Sequence, residues 1–202
     1  MSAREEILGW IRSAVAGAPV PEVSREYART VDHDVVDLFA ERVSDYRATV
    51  RRLGWDGLAL AISEELEAAG VGVLAVPADV PPDWLGVTDA VLRRDVPPLS
   101  TMDLDGCGGV LTGCALAIAE TGTIVLDSGV AQGKRALTLV PDVHVCVVGA
   151  DQIVGSVPEA IERLDPARPL TWISGPSATS DIEMDRVEGV HGPRTLTVLV
   201  VG

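Results

Sequence analysis

The sequence is poor in lysine and in aromatic residues. The first shortage bears on the partners that the protein can bind, and the second on the residues that can form its core. Lys134 is the single lysine, and 30 acidic residues outweigh 16 basic ones to leave a net charge of −14. A chain this acidic repels a phosphate backbone or an anionic membrane at long range, so neither is an expected partner. With four Trp, two Tyr and one Phe in 202 residues, the core must be built from Val, Leu, Ile and Ala.

Cysteine is also scarce, and targeting signals are not apparent. Cys107, Cys114 and Cys146 show no Cys-X-X-Cys spacing, so neither a zinc site nor an iron–sulfur ligand set is expected in this chain. The N-terminus is acidic where a signal peptide needs basic residues, and no apolar run approaches the ~20 residues that span a bilayer. These absences predict a cytoplasmic protein that binds no metal and no cofactor itself.

The first 55 residues are predicted to form a helical arm. Ser2 and Glu5 form a capping box before an apolar stripe at helical spacing. A second stripe, spaced alternately by three and four, runs over residues 36–53 and is closed by Gly54. The arm either docks on the main domain or pairs with a second subunit, so a homo-oligomer is left open.

Residues 56–202 alternate between helical patterns and short apolar runs, which predicts an α/β domain. Near-continuous apolar runs at 143–148 and 195–201 are typical of strands covered on both faces. The expected fold class is a mostly parallel sheet with helices on both faces. Less regular segments are assigned as a helical turn at 114–119, a strand at 136–140 and a helix at 179–187. Neither a dinucleotide-binding fingerprint nor a P-loop is present.

Three polar segments interrupt this pattern: the first at 119–123, the second at 174–183 and the third at 189–194. Polar side chains beside Gly and Pro at strand ends suit a cleft where backbone approaches a ligand. Helix N-termini and arginines favour an anion there. The candidate ligand-binding residues are Glu120, Thr121, Gly122, Thr123, Gly175, Pro176, Ser177, Asp181, His191 and Arg194. The alternative is that these segments are only turns and helix caps.

The order of these motifs resembles a known family. The chain reads Ile-Ala-Glu-Thr-Gly-Thr at 118–123, Leu-Val-Pro-Asp-Val-His at 139–144, Gly-Pro-Ser-Ala-Thr-Ser-Asp-Ile-Glu at 175–183 and Gly-Val-His-Gly-Pro-Arg at 189–194. This is similar to the LUD-domain family, and within it to the lactate utilization protein C (LutC, YkgG) type. The family often has Arg after Gly-Pro-Ser, where this chain has Ala178. The cation for an anionic ligand is therefore expected from Arg194 or Arg135.

The resemblance implies a fold and a role. The fold would be like that of the NagB, RpiA and CoA-transferase group. The role would be in oxidising L-lactate to pyruvate beside two iron–sulfur partner proteins, which would carry the clusters. We expect an assisting subunit that binds a small anionic ligand. Two alternatives remain: a stand-alone enzyme of the same fold that uses Glu120 as base or nucleophile, and a structural scaffold.

Overall fold

The computed structural model describes residues 2–19, 22–24, 28, 30–179, 187–188 and 192–202. Within these, the helices are α1 (Ala3–Ala14), α2 (Val35–Asp45), α3 (Leu58–Ala68), α4 (Thr101–Asp105) and α5 (Val157–Arg163). The strands are β1 (Thr49–Leu53), β2 (Val73–Val76), β3 (Val91–Arg94), β4 (Gly109–Thr112), β5 (Leu116–Ile118), β6 (Thr123–Leu126), β7 (Val143–Gly149), β8 (Ile153–Val154), β9 (Thr171–Ile173), β10 (Ala178–Thr179), β11 (Val187–Glu188) and β12 (Thr195–Val201).

The main sheet of the described residues has six parallel strands in the order β1-β12-β7-β4-β2-β3. Its two central long strands, β7 and β12, are the runs that the sequence predicted as covered on both faces. They pair from Val143 opposite Thr195 to Gly149 opposite Val201. The predicted fold class, a mostly parallel α/β sheet, is confirmed.

The two faces of this sheet pack against different layers. Val145 and Val147 of β7 point to a core cluster that includes α3, through residues such as Ile62. Cys146 and Val148 point to the other face, because successive side chains of a strand alternate. That face is covered by α2, α4 and a second, smaller sheet.

The second sheet, with the order β8-β5-β6-β9, corrects the sequence prediction for residues 114–119. These residues were expected to form a helical turn, but Leu116–Ile118 is a strand antiparallel to β6. Leu116 and Ile118 contact one core cluster and Ala117 another, so both faces of the strand are buried. A short apolar run buried on both sides has no period that separates strand from helix. The strand expected at 136–140 was also wrong, since Arg135–Thr138 is a 3₁₀ helix.

The N-terminal arm is partly as predicted. The Ser2–Glu5 capping box is present, and α1 has no buried residue. Helix α2 ends at Asp45, however, and Thr49–Leu53 is an edge strand paired with β12, so the prediction that residues 1–55 are all helical was wrong. Arg47, with φ of 64°, turns the chain between them. Because apolar residues continue at similar spacing across this turn, periodicity alone does not reveal it. The domain boundary at residue 55 stays a prediction.

The segment at 179–187 also differs from its sequence prediction. The ends of the helix expected at 179–187 are instead strands, since Thr179 pairs with Val187, and residues 180–186 lie outside the described residues.

In the described part of the chain, no helix has the length and apolar character needed to cross a membrane.

Candidate functional site

A cavity of about 290 Å³ lies at the amino ends of β7 and β12; we call it the amino-edge cavity. Its walls come from the second and third polar segments and from the chain that leads into β7. They are Arg135, Thr138, Leu139, His144, Thr171, Trp172, Ile173, Ser174, Gly175, Pro176, Ser177, Gly192, Pro193 and Leu196. The size suits a small metabolite, since pockets for drug-sized ligands start at about 300 Å³.

The three polar segments are in contact with one another. The Thr123 hydroxyl lies 2.8 Å from the Ser174 hydroxyl and 2.7 Å from that of Thr121. This contact follows from the antiparallel pairing of β6 with β9, which ends at these residues. Farther along, the Ser177 backbone N–H donates to the Pro193 carbonyl at 2.8 Å. The first segment is thus joined to the second and the second to the third, although only the second and third line the cavity.

Glu120 and Gly122 do not line the amino-edge cavity, and the two motif glycines Gly122 and Gly175 support the packing of α2. The Glu120 side chain is exposed and is not among the residues that line a described cavity near it. Gly122, with φ of +58°, lies against the backbone of α2, where a Cβ would come within 2.7 Å of Arg42. Gly175, with φ of +84°, faces Tyr46 in the same way. These two glycines therefore let α2 and the residue after it approach the sheet.

The candidates of the second and third polar segments fall into three groups. Gly175, Pro176 and Ser177 line the amino-edge cavity. Arg194 is adjacent to it in sequence but points to Asp142, with 3.5 Å between Nε and Oδ1 in an exposed pair. Asp181 and His191 lie outside the described residues.

The electrostatics of the amino-edge cavity favour an anion. Arg135 is the one formally charged side chain among its described lining residues, in a molecule whose net charge is −14. Its guanidinium can hold a carboxylate through two parallel hydrogen bonds. His144 closes the inner end, where its Nε2 lies 2.8 Å from the Thr112 hydroxyl. The sequence analysis named Arg135 beside Arg194 as the expected cation, and it placed His144 in a strand without a ligand-binding role.

A second and larger cavity of about 640 Å³ lies at the opposite edge of the sheet, where β2, β4 and β7 end. We call it the carboxyl-edge cavity. Ligands of open α/β sheets commonly bind on this side. Its charged lining residues are Asp127, Asp151, Asp165, Arg163 and Arg168. Both arginines are already paired with carboxylates, Arg163 with Glu159 at 2.8 Å and Arg168 with Asp127 at 3.1 Å, so this cavity favours anions less.

The loop over the carboxyl-edge cavity was missed by the sequence analysis. It follows β6 and holds two non-glycine residues at positive φ, Ser128 at 58° and Ala131 at 57°. Gln132 is buried and accepts from the Asp127 backbone N–H at 2.6 Å. Strained backbone of this kind concentrates at functional sites. The signal available in the sequence was a pair of glycines, Gly129 and Gly133, directly after a buried strand.

Buried thiols and hydroxyls lie between the two cavities. Thr112 is 2.8 Å from His144 Nε2 and donates to Cys146 Sγ at 3.8 Å. Cys114, which lines the carboxyl-edge cavity, donates to Gln152 Oε1 at 3.7 Å. No group of three or more potential metal ligands occurs among the residues that the structure describes.

The comparisons with known proteins agree with this architecture. The LUD domain matches residues 103–201. A lactate utilization protein C from Deinococcus radiodurans is 48% identical over 99% of this chain and 96% of its own length.

The chain belongs to the LUD-domain family.

Two further similarities agree with this assignment. A lactate utilization protein C from Geobacillus kaustophilus is 32% identical, over 71% of this chain and 68% of that protein. A crystal structure of a DUF162 family protein from Deinococcus radiodurans has a TM-score of 0.71 and 43% identity, covering 84% of this chain and 97% of that one. The family resemblance inferred from the motifs, including the lactate utilization protein C type, is confirmed.

Proposed function

We propose that this LUD-domain protein is a component of a lactate utilization system and binds a small carboxylate, such as L-lactate, in the amino-edge cavity. The observation that carries the proposal is the meeting of Gly175–Ser177 and Gly192–Pro193 beside Arg135, around a space of about 290 Å³. The name lactate utilization protein C, borne by the relatives, supplies the system and the substrate class.

The chemistry of the cavity supports a 2-hydroxy acid. The Arg135 guanidinium would bind the carboxylate, while the hydroxyls of Thr138, Ser174 and Ser177 offer partners for a substrate hydroxyl. Leu139 and Trp172, which also line the space, would face an apolar carbon such as a methyl group. A molecule with a carboxylate, a hydroxyl and a short apolar stem matches this mixture of lining residues.

We also propose that electron transfer is left to partner proteins. The described residues hold no cluster of metal ligands, and the three cysteines are free and buried. Oxidation of a 2-hydroxy acid to a 2-oxo acid releases two electrons and two protons, so the electrons must pass to another group. Two iron–sulfur partner proteins are the proposed acceptors, and the chain itself would assist by holding ligand. The free thiols fit a reducing, cytoplasmic location.

Ligand binding can be tested by thermal unfolding of the full chain with L-lactate, pyruvate, acetate and inorganic phosphate. A ligand present at 100 times its Kd adds about 2.7 kcal/mol, which for a chain of this size is roughly 5–11 °C in Tm. We expect a shift with L-lactate that Arg135→Gln reduces to about half or less. Loss of a charged hydrogen bond worth about 1.5–3 kcal/mol should weaken affinity roughly 10- to 150-fold, so 100 times the wild-type Kd is only about 10 times the variant's Kd or less.

Arg163→Gln is the matched control, because Arg163 lines the carboxyl-edge cavity. It should leave the L-lactate shift unchanged. Equal loss in both variants, or no shift with any carboxylate, would contradict the assigned site. The partner proposal is tested separately by affinity capture under anaerobic conditions, in which iron–sulfur proteins should co-purify. Their absence, together with normal growth on L-lactate after gene deletion, would count against the role in the system.

A further inference from the structure

A buried histidine lies at the inner end of the amino-edge cavity. His144, on β7, is 1% exposed and lines the cavity together with Arg135. Its Nε2 lies 2.8 Å from the hydroxyl of Thr112 on the neighbouring strand β4. Because an imidazole has two nitrogens, the state of the other one decides what His144 can do toward a ligand.

The other ring nitrogen, Nδ1, has no hydrogen-bond partner among the residues that the structure describes. In that same part of the chain, every fully enclosed side-chain nitrogen or oxygen has a partner. Nδ1 is therefore not sealed inside the core. The open space that His144 borders is the amino-edge cavity, so a ligand that fills this cavity meets Nδ1.

A chain of three hydrogen bonds decides which ring nitrogen carries the proton. At its far end, the Cys146 thiol donates to the Gly113 carbonyl over 3.7 Å, and a carbonyl can only accept. The Cys146 sulfur accepts in turn from the Thr112 hydroxyl at 3.8 Å. Since Thr112 has only one hydroxyl proton, its oxygen accepts from the Nε2–H of His144. The neutral ring thus presents the lone pair of Nδ1 to the cavity.

We propose that His144 makes the amino-edge cavity selective for a 2-hydroxy acid, with Nδ1 accepting a hydrogen bond from the hydroxyl of the ligand. This inference rests on the carboxylate site of the proposed function. An imidazole nitrogen without a proton accepts a hydrogen bond and cannot donate one. A 2-hydroxy acid offers an O–H group at this position. A 2-oxo acid offers only oxygen lone pairs, and an unsubstituted acid offers no polar group.

The hydroxyl side chains of the cavity do not make this distinction. The hydroxyls of Thr138, Ser174 and Ser177 can each donate or accept, so they suit a substrate hydroxyl or a substrate carbonyl. The ring of His144 differs, because its partner on Nε2 fixes both the tautomer and the orientation. Arg135 would hold the carboxylate, and His144 would recognise the group on the adjacent carbon.

Isothermal titration calorimetry of the full chain with L-lactate, propionate and pyruvate tests the proposal. Propionate is L-lactate without the hydroxyl, so the ratio of the two Kd values isolates the hydroxyl contact. We expect L-lactate to bind more tightly than propionate by a factor of about 2 to 12, the range for a neutral hydrogen bond, and more tightly than pyruvate by at least as much. In His144→Phe, which keeps a ring but no nitrogen, L-lactate and propionate should bind equally.

Substitutions of Thr112 test the tautomer argument without touching the ligand, because Thr112 does not line the cavity. Thr112→Val removes the hydroxyl that accepts from Nε2–H, so the ring is no longer held in one tautomer. The preference for L-lactate over propionate should then fall. Thr112→Ser keeps the hydroxyl and should keep the preference, which separates hydrogen bonding from packing at the same buried position. An equal preference in the two variants would contradict the chain of hydrogen bonds.

Nitrogen NMR of the ¹⁵N-labelled wild type decides the matter even if a variant fails to fold. The chain has three histidines, and the imidazole signals lost in His33→Gln and in His191→Gln leave the third set for His144. We expect the neutral ring to carry its proton on Nε2 and the Nδ1 signal to move when L-lactate is added. A proton on Nδ1, or an Nδ1 signal that does not respond to saturating L-lactate, would overturn the proposal.

Failure of this inference can be told apart from failure of the proposed function. If neither L-lactate nor propionate binds, the carboxylate site itself is refuted, and the role of His144 with it. If both bind the wild type with the same Kd, the carboxylate site stands and only the role of His144 is refuted. Arg135→Gln should weaken both acids by the same factor, because the carboxylate contact is separate from the hydroxyl contact.

Discussion

Replacing Gly122 by alanine tests whether the glycine of the first polar segment serves packing. Gly122 has φ of +58°, and an added Cβ would lie 2.7 Å from the backbone carbon of Arg42 and 2.8 Å from the backbone nitrogen of Val43. The left-handed backbone costs about 1–2 kcal/mol for a residue with a Cβ. Overpacking against backbone that cannot rotate away adds about 1–3 kcal/mol. The expected loss of unfolding free energy is therefore about 2–5 kcal/mol.

Gly70 provides the matched control for this variant. Its φ of +67° is nearly the same, but nothing lies within 4 Å of its added Cβ. Gly70→Ala should therefore cost only the backbone part, about 1–2 kcal/mol. Urea unfolding of both variants measures the difference, provided that the m-value is unchanged. If Gly122→Ala loses no more stability than Gly70→Ala, α2 does not rest on this glycine as described.

Two further substitutions test the docking of the arm and the loop over the carboxyl-edge cavity. Phe39→Ala in α2 should lower the free energy of unfolding by about 3–5 kcal/mol, because the Phe39 side chain is fully buried. Trp10→Ala on α1, where the side chain is 65% exposed, should change it by about 0.5 kcal/mol or less. Equal effects of the two variants in urea unfolding would refute the packing of α2 on the domain. Gln132→Leu should lower the free energy of unfolding by about 1–3 kcal/mol, because the Asp127 backbone N–H loses its acceptor. An unchanged urea midpoint would show that water takes the place of the Gln132 oxygen.

Much of the main sheet could be predicted from the sequence because its central strands are long and mostly apolar. The runs that became β7 and β12 are apolar except for His144, Thr195 and Thr197, a pattern typical of a strand covered on both faces. The helix α1 was equally clear, because the Ser2–Glu5 capping box marks its start.

The second sheet and the edge strand β1 could not be predicted, for physical reasons. Leu116–Ile118 is three residues long and buried on both sides, so neither period is visible. The turn between α2 and β1 uses Arg47 at positive φ, a residue type that gives no turn signal. Long-range pairing with β12 decides that Thr49–Leu53 is a strand, and no local pattern contains that information.

The candidate site was predictable as a set of segments but not as a cavity. The contact between Thr123 and Ser174 depends on the register of β6 with β9, and that between Ser177 and Pro193 on the approach to β12. Arg135 and His144 enter the same cavity from the 3₁₀ helix and β7. Residues separated by so much chain meet only through the sheet topology.

Indole NMR during a titration with L-lactate tests the central claim most directly, because the tryptophans lie in different places. Trp172 lines the amino-edge cavity, Trp55 and Trp84 line the carboxyl-edge cavity, and Trp10 is exposed on α1. A carboxylate bound beside Arg135 should shift the Trp172 indole signal saturably and leave the other signals in place. Shifts confined to Trp55 and Trp84, or no shift at all, would contradict binding in the amino-edge cavity.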